Sequence, residues 1–176
     1  MSQYSSQLRS FSLLLPQITA VTKRYTERRI LQTSPQTLFS VISDVDRYSS
    51  FLPLCTDSRI LRYSPCGTMY DAALTVGLPP LFTEHYVSRV TLHRRDLIVE
   101  AKSVKSKAFE SLKSRWKLNS VEGEDGSCDV DFEVEMTVRD PVITQVIDSV
   151  LEQVAGRQVD AFQRRCEEID GQKQKR

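Results

Sequence analysis

The sequence is poor in the residues that enzymes commonly use for catalysis and metal binding. It has only two histidines and six glycines among 176 residues. It contains no Gly-rich phosphate loop, no G-x-S-x-G motif and no cysteine–histidine cluster. His85 and His93 are on one predicted strand, where eight residues at ~3.4 Å each would separate them by about 27 Å, too far for a shared metal. We therefore interpret both as solvated strand histidines, and we predict no catalytic residue, no metal ligand and no cofactor.

Cysteine pairs and long apolar runs are also missing. The four cysteines, Cys55, Cys66, Cys128 and Cys166, show neither C-x-x-C spacing nor the density of a disulfide scaffold. Such cysteines are expected to be reduced, in an intracellular compartment. No apolar run approaches the ~20 residues that a membrane-spanning helix needs. The sequence therefore predicts no transmembrane segment.

Acidic residues are absent from the first 26 positions, which hold Arg9, Lys23, Arg24 and five serines. This composition is typical of a mitochondrial transit peptide and predicts a targeting segment at residues 1–24, with a disordered N-terminal arm as the alternative. Residues 25–172 contain all 23 acidic residues but only 18 of the 24 basic ones, a net charge of −5. An acidic body argues against a nucleic-acid partner, which normally requires a clustered basic face.

Two consecutive short helices are predicted after a first strand at Thr26–Leu31. Ser34 and Pro35 form an N-cap and first helical position, and apolar residues follow at spacings of three and four. Asp46 is expected to cap the second short helix, which ends at Pro53. The apolar side chains of these two helices are Leu38, Phe39, Val41, Ile42, Tyr48, Phe51 and Leu52.

From Asp57 onward, apolar and polar residues alternate in about six segments separated by turns that contain glycine, proline or charged residues. This period predicts antiparallel strands with one face on a core and one face in water. The clearest strand is Cys128–Met136, and Leu97–Ala101 is a short one. The alternating apolar sets are Tyr70, Ala72, Leu74, Val76 and Leu78; Phe82, Tyr86, Val90 and Leu92; Leu112, Trp116 and Leu118; and Cys128, Val130, Phe132, Val134 and Met136.

The longest helix is predicted to begin at Asp140-Pro141 and to run to about Ile169. Its two apolar stripes are rotated relative to each other, and Gly156 lies at their junction. Glycine inside a helix costs about 1 kcal/mol relative to alanine, so we expect a bend or a close approach there. Gly171 and the residues after it are expected to end the fold, as a basic tail at residues 171–176. The stripes are Ile143, Val146, Ile147, Val150, Leu151 and Val154, and Val159, Phe162, Cys166 and Ile169.

This order of elements predicts one α+β domain at residues 25–170. A single helix cannot cover a flat sheet of that width, so we expect a curved antiparallel sheet wrapped around the C-terminal helix. Such an arrangement leaves a cavity between helix and sheet, which is a binding pocket by construction. The apolar loop Val76–Phe82, which contains Pro79 and Pro80, has two interpretations. It either dips into a membrane surface and admits a lipid, or packs on the core as two strand ends.

The run Ser34–Cys55 resembles the signature of the mitochondrial coenzyme-Q-binding proteins, a family of the START/polyketide-cyclase superfamily. Its most specific part is residues 44–55, and the resemblance extends over nearly all of residues 25–166. One departure is the rigid Leu78-Pro79-Pro80 that follows Gly77. Further matching segments are Leu74–Gly77, Phe109–Leu112 with Trp116, and Cys128–Phe132 leading to Asp140-Pro141.

The resemblance implies a helix-grip, START-like fold that holds ubiquinone or a related polyprenyl lipid in its cavity. It implies a non-catalytic lipid chaperone that supports respiration and ubiquinone biosynthesis, placed peripherally on the matrix side of the mitochondrial inner membrane. Ubiquinone-biosynthesis or respiratory-chain proteins are the implied protein partners. The superfamily also includes polyketide cyclase-like enzymes and ribosome- or protein-interaction modules, which are the alternatives. The expected ligand-binding residues are Val45, Tyr48, Phe51, Leu52, Pro53, Leu74, Val76, Leu78, Phe82, Tyr86, Trp116, Phe132, Val150 and Val154.

Overall fold

A seven-stranded antiparallel sheet and a long C-terminal helix dominate the computed structural model, which describes residues 19–78, 80, 82–124 and 126–173. The strands are β1 (Val21–Leu31), β2 (Cys55–Tyr63), β3 (Met69–Leu78), β4 (Phe82–His93), β5 (Ile98–Lys105), β6 (Phe109–Ser120) and β7 (Cys128–Val138). The helices are α1 (Pro35–Ser43), a 3-10 helix (Val45–Ser50) and α2 (Pro141–Lys173). The strand order is β1-β7-β6-β5-β4-β3-β2, so β1 and β2 are the sheet edges. The predicted element order and helix-grip fold are confirmed.

The first two helices begin close to where the sequence predicts, but one cap differs. The Ser34 hydroxyl accepts a hydrogen bond from the Thr37 amide at 3.1 Å, as expected for an N-cap before Pro35. The 3-10 helix is preceded by Asp44, so the prediction that Asp46 caps it is wrong. The Asp46 carboxylate instead accepts a hydrogen bond from the backbone N–H of Ile60 on β2. An edge strand leaves amides without a ladder partner, and this contact satisfies one of them.

β1 begins at Val21, five residues before the predicted Thr26. Its first half pairs with β7, with Val21 opposite Val138 and Tyr25 opposite Val134. Apolar alternation is absent there because Lys23, on the same strand face as Tyr25, forms an ion pair with Asp148 of α2 instead of packing in the core. Residues 21–24 of the predicted targeting segment therefore belong to the sheet. Residues 1–18 lie outside the described part, and targeting stays a prediction.

α2 begins with the cap that the sequence predicts. The Asp140 carboxylate accepts hydrogen bonds from the amides of Val142 and Ile143, at 2.8 and 3.2 Å. At 1.5 Å per residue, its 33 residues span about 50 Å. The helix continues to Lys173, four residues beyond the predicted end near Ile169, and so includes Gly171. Glycine costs a helix only about 1 kcal/mol, and the chain continues through it.

Two apolar clusters fill the space between α2 and the sheet. The larger lies against the second half of α2, where Val159, Phe162 and Cys166 have no exposed surface. The smaller consists of Phe109, Val138 and Ile147, with partly buried Leu112, Met136, Ile143 and Leu151 packed against it. The first half of α2 contributes Ile143, Ile147 and Leu151 to this smaller cluster.

Candidate functional site

An apolar cavity of about 250 Å³ lies between the first half of α2 and the concave face of the sheet. This volume is close to the lower end of the roughly 300–1,000 Å³ typical of small-molecule sites. Both apolar clusters contribute to its wall, through Trp116 and Phe132 from the larger and Phe109 and Ile147 from the smaller. The predicted cavity is therefore present, and the chain has not filled it with its own side chains.

Stacked aromatic rings form one end of the cavity. The Trp116 and Phe132 rings, on neighbouring strands, have centroids 4.2 Å apart and an interplanar angle of 32°. Phe162 of α2 packs edge-on against Trp116 at 5.0 Å and against Tyr48 at 5.3 Å. Because these rings support one another, the end wall is rigid, and only Trp116, Phe132 and Tyr48 among them face the cavity.

Ten of the fourteen predicted ligand-binding residues line the cavity: Val45, Tyr48, Leu52, Pro53, Leu74, Val76, Tyr86, Trp116, Phe132 and Val154. Phe51 does not, which corrects its predicted position at the wall. Its ring packs edge-on against Tyr48 and Phe162, at 5.9 and 5.3 Å. The side chains of Leu78, Phe82 and Val150 lie outside the described part of the structure.

Sequence reasoning missed many wall residues, several of them on the predicted inward strand faces. Ser88 shares the parity of Tyr86 on β4, and Ser114 shares that of Trp116 on β6, so the period of two was the signal that could have found them. Leu54 had no such signal, because its backbone is in the left-handed region with φ of 65°. The missed residues are Ile42, Leu54, Cys55, Gly77, Ser88, Val90, Val99, Ala101, Phe109, Leu112, Ser114, Val134, Met136, Val146, Ile147, Leu151, Ala155 and Gln158.

The polar groups on the wall are hydroxyls, an amide and a thiol, without a carboxylate or a histidine among the described lining residues. Burial raises the pKa of Tyr48 well above its usual value, and its hydroxyl donates to the carbonyl oxygen of Ile42. Burial likewise raises the pKa of Tyr86. Both phenols are therefore neutral at physiological pH, and neither can serve as a base there.

The buried carboxylate of Glu84 holds the turn between β5 and β6, just before Phe109. Glu84 Oε1 accepts hydrogen bonds from the Ser106 hydroxyl at 2.7 Å and from the amides of Lys107 and Ala108 at 2.7 and 3.2 Å. Burial alone would raise the pKa of Glu84, but these three donors lower it overall. The next residue after the turn, Phe109, lines the cavity and packs edge-on against Tyr86 at 6.2 Å.

Polar contacts hold α2 against β1 beside the cavity. Arg29 forms ion pairs with Glu27 at 2.7 Å and with Asp160 of α2 at 2.8 Å. The Tyr25 hydroxyl donates to Glu27 at 2.7 Å, and burial, followed by this hydrogen bond, raises the pKa of Tyr25 to about 12. A Cβ on Gly156 would lie 3.7 Å from the Tyr25 hydroxyl. The space at Gly156 therefore accepts an alanine side chain, and the bend or close approach expected there stays a prediction.

The histidines and cysteines are placed as the sequence predicts. His85 and His93 are exposed on β4, where they contact Thr75 at 2.8 Å and Glu100 at 3.3 Å. All four cysteines are free, and only Cys66 is exposed. Among the described residues, no three His, Cys, Asp or Glu side chains are grouped as a metal site would require. No helix in the described ranges is long and apolar enough to cross a bilayer.

Comparison with known proteins identifies a family and several similar proteins. The model of the family described as "Polyketide cyclase / dehydrase and lipid transport" matches residues 31–163. Coenzyme Q-binding protein COQ10 homolog B, mitochondrial, of Xenopus laevis is 27% identical over 93% of this chain and 66% of its own length. The mitochondrial coenzyme Q-binding protein coq10 of Schizosaccharomyces pombe is 35% identical over 63% of this chain. This chain spans 66% of that relative's length too.

Other relatives share the fold under different names. Ribosome association toxin RatA of Escherichia coli is 26% identical over 89% of this chain and 90% of its own length. A START superfamily protein from Mycobacterium smegmatis matches with a TM-score of 0.72 at 15% identity, over 83% of this chain and 98% of that one. The Zhui aromatase/cyclase matches with a TM-score of 0.71 at 12% identity, over 84% and 94% of the two chains. At these identities the solved structures establish the fold alone.

Proposed function

Because the chain belongs to the polyketide cyclase / dehydrase and lipid transport family, we propose that it binds ubiquinone or a related polyprenyl lipid without catalysing a reaction. The cavity carries this proposal, since its walls are mostly apolar and come from the sheet, the short helices and α2. Burying apolar surface is worth about 25 cal/mol per Å², so a lipid binds there without any reactive residue. The names of the coenzyme Q-binding relatives support this ligand.

The composition of the wall supports binding in preference to acid–base chemistry. General acids and bases work best when their pKa lies near the operating pH. Tyr48 and Tyr86 both have pKa values raised by burial, which moves them away from that range. The other polar lining side chains belong to Cys55, Ser88, Ser114 and Gln158. Burial raises the pKa of the Cys55 thiol, which makes it a poor nucleophile at neutral pH.

We place the protein at the matrix side of the mitochondrial inner membrane, as a chaperone that delivers quinone for respiration and for ubiquinone biosynthesis. Val76 and Gly77 line the cavity, and the apolar run that follows them in the sequence is our candidate for contact with lipid. Replacing Leu81 and Phe82 with aspartate should weaken binding to liposomes and change thermal stability little. A large fall in the melting temperature would show that these residues are core, and membrane docking there would be wrong.

The direct test identifies what the purified protein carries. Protein from a host that makes ubiquinone is extracted with organic solvent, and the extract is analysed by mass spectrometry. We expect quinone in a fixed molar ratio to protein, and a lower ratio when the cavity is filled by mutation. Recovery of phospholipid or fatty acid alone, from protein that also takes up no added quinone, would contradict the proposal.

The other functions in this superfamily fit the chain less well. A cyclase needs polar catalytic groups in the pocket, and the described wall has no carboxylate or histidine. A ribosome-binding module needs a basic face, whereas residues 25–172 carry a net charge of −5. Turnover of an aromatic polyketide, or co-sedimentation with ribosomes at physiological salt, would favour one of these instead.

A further inference from the structure

Three hydroxyl groups interrupt the apolar wall of the cavity. Tyr86 and Ser88 are on β4, and Ser114 is on β6. Ser88 is buried, with only 4% of its surface accessible to solvent. Within the described chain, none of the three hydroxyls has a hydrogen-bond partner. These hydroxyls face the cavity and make no hydrogen bond that stabilises the fold.

An unpaired hydroxyl is costly in a buried place. Leaving one without a partner costs about 1–3 kcal/mol, and two other buried polar side chains show how the fold pairs such groups. Buried Ser58 accepts from the Ser49 amide at 3.0 Å, and buried Glu84 has three donors. The hydroxyls of Thr33 and Ser111 also lack partners in the described chain, but neither lines the cavity. The cavity hydroxyls are therefore the ones that a ligand can pair.

The two serines are offset by one inward-facing position along the sheet. Ser114 is opposite Ala101 on the intervening strand β5, and Ala101 is in turn opposite Val90, two residues after Ser88. The small side chain of Ala101, which also faces the cavity, leaves the space between the two strands open. The next inward residue after Ser114 is Trp116, which with Phe132 forms the aromatic end wall. A flat ring resting on that wall would have its edge near Ser114, and Ser88 and Tyr86 follow at successive inward positions of β4, away from the wall.

We infer that Ser88 and Ser114, with Tyr86, form a subsite for the oxygen substituents of a quinone ring, so that the ligand enters ring first. The inference rests on the proposed function and specifies how the ligand lies. Hydroxyls can donate to carbonyl and methoxy oxygens. The tail then passes between Leu112 and Leu151, which line the cavity. A volume of about 250 Å³ accommodates the ring and the start of the tail, and the remainder extends outside.

Trp116 provides the measurement, because it is the only tryptophan and lies on the cavity wall. Quenching of its fluorescence by a short-tailed ubiquinone gives the Kd of the full-length protein. An alkylbenzene with the same tail and no ring oxygens is then titrated as a competitor. The variants are Ser88→Ala, Ser114→Ala and Tyr86→Phe. Ser111→Ala, which removes an unpaired hydroxyl from the same strand as Ser114 but away from the cavity, is the matched control.

Each of the three variants should weaken ubiquinone binding roughly three- to tenfold, the equivalent of one neutral hydrogen bond. Binding of the alkylbenzene should be unchanged, and the melting temperature of the ligand-free protein should not fall. Ser111→Ala should change neither affinity. If ubiquinone affinity is unchanged, or both ligands weaken equally, the subsite is wrong while quinone binding stands. If the wild-type protein binds no ubiquinone, the proposed function fails as well.

Discussion

The guanidinium of Arg29 on β1 lies 2.8 Å from the carboxylate of Asp160 on α2. The same guanidinium donates to the carbonyl oxygen of Gly156 at 3.3 Å and pairs with Glu27 at 2.7 Å. One side chain therefore joins the edge strand to the helix on the far side of the cavity. Its neighbour Arg28 points to the opposite face and pairs with Asp129 at 2.6 Å in a largely exposed position.

Arg29→Met should lower the free energy of unfolding by about 1–3 kcal/mol, because Glu27 and the Gly156 carbonyl both lose a partner in a partly buried site. Arg28→Met is the control, and exposed ion pairs are typically worth less than about 1 kcal/mol. Urea unfolding of both variants measures the difference. Equal losses for the two arginines would show that the contact between β1 and α2 contributes nothing specific.

Gly156→Ala should stabilise the protein by up to about 1 kcal/mol through helix propensity, which for a domain of this size raises the melting temperature by roughly 2–4 °C. The added Cβ would lie 3.7 Å from the Tyr25 hydroxyl, an ordinary contact distance. Gly156→Leu should destabilise it, since a longer side chain meets that hydroxyl. If alanine already destabilises, the Tyr25–Glu27 hydrogen bond requires the glycine.

Val154→Phe should leave the free energy of unfolding nearly unchanged and reduce co-purified quinone. Val154 lines the cavity, so a larger side chain enters empty space. Val159→Phe is the matched control on the same helix. Val159 has no exposed surface, and overpacking it should cost about 1–3 kcal/mol. Thermal unfolding and lipid content are measured on the same preparations, and unchanged quinone content in Val154→Phe would remove this residue from the binding site.

Cys66 should be the one cysteine that reacts in the folded protein. Hydrogen bonds with Ser64 and Thr68 lower the pKa of its thiol to about 7. The thiolate is the reactive form, so the alkylation rate should rise from pH 6 to pH 8 and level off above that. Ser64→Ala combined with Thr68→Val should shift this midpoint upward. A midpoint near 8.5 in the wild type, or several modified cysteines by mass spectrometry, would contradict this.

The sequence predicted the strands and helices in which every residue on one face is apolar. β7 follows strict alternation, with Val130 and Phe132 buried, and both its existence and its face are confirmed. The start of β1 was missed because Lys23 occupies an inward position and forms an ion pair with Asp148 of α2 instead of packing in the core. Apolar periodicity carries no information about such contacts.

The strand positions that line the cavity could be predicted from the sequence, but the hydrogen bonding and packing of individual side chains could not. Parity places Ser88 on the inward face, but a sequence pattern cannot show that its hydroxyl lacks a partner. Phe51 was predicted to bind the ligand, but it does not line the cavity and its ring packs on Phe162. Contacts between strands and helices that are distant in sequence determine both the hydrogen bonding of Ser88 and the packing of Phe51. The apolar pattern of one strand or helix does not reveal such contacts.

The two halves of α2 differ in how much buried apolar surface each would expose if it detached from the sheet. Its second half buries Val159, Phe162 and Cys166 in the larger apolar cluster. Its first half contacts β1 through the ion pair of Lys23 with Asp148, which is partly exposed to solvent. We therefore expect a lower free energy of local opening over residues 142–154 than over residues 158–169, so the amide hydrogens of residues 142–154 should exchange sooner with solvent deuterium. Such an opening would uncover the cavity, so a ligand bound there should slow exchange over residues 142–154 alone.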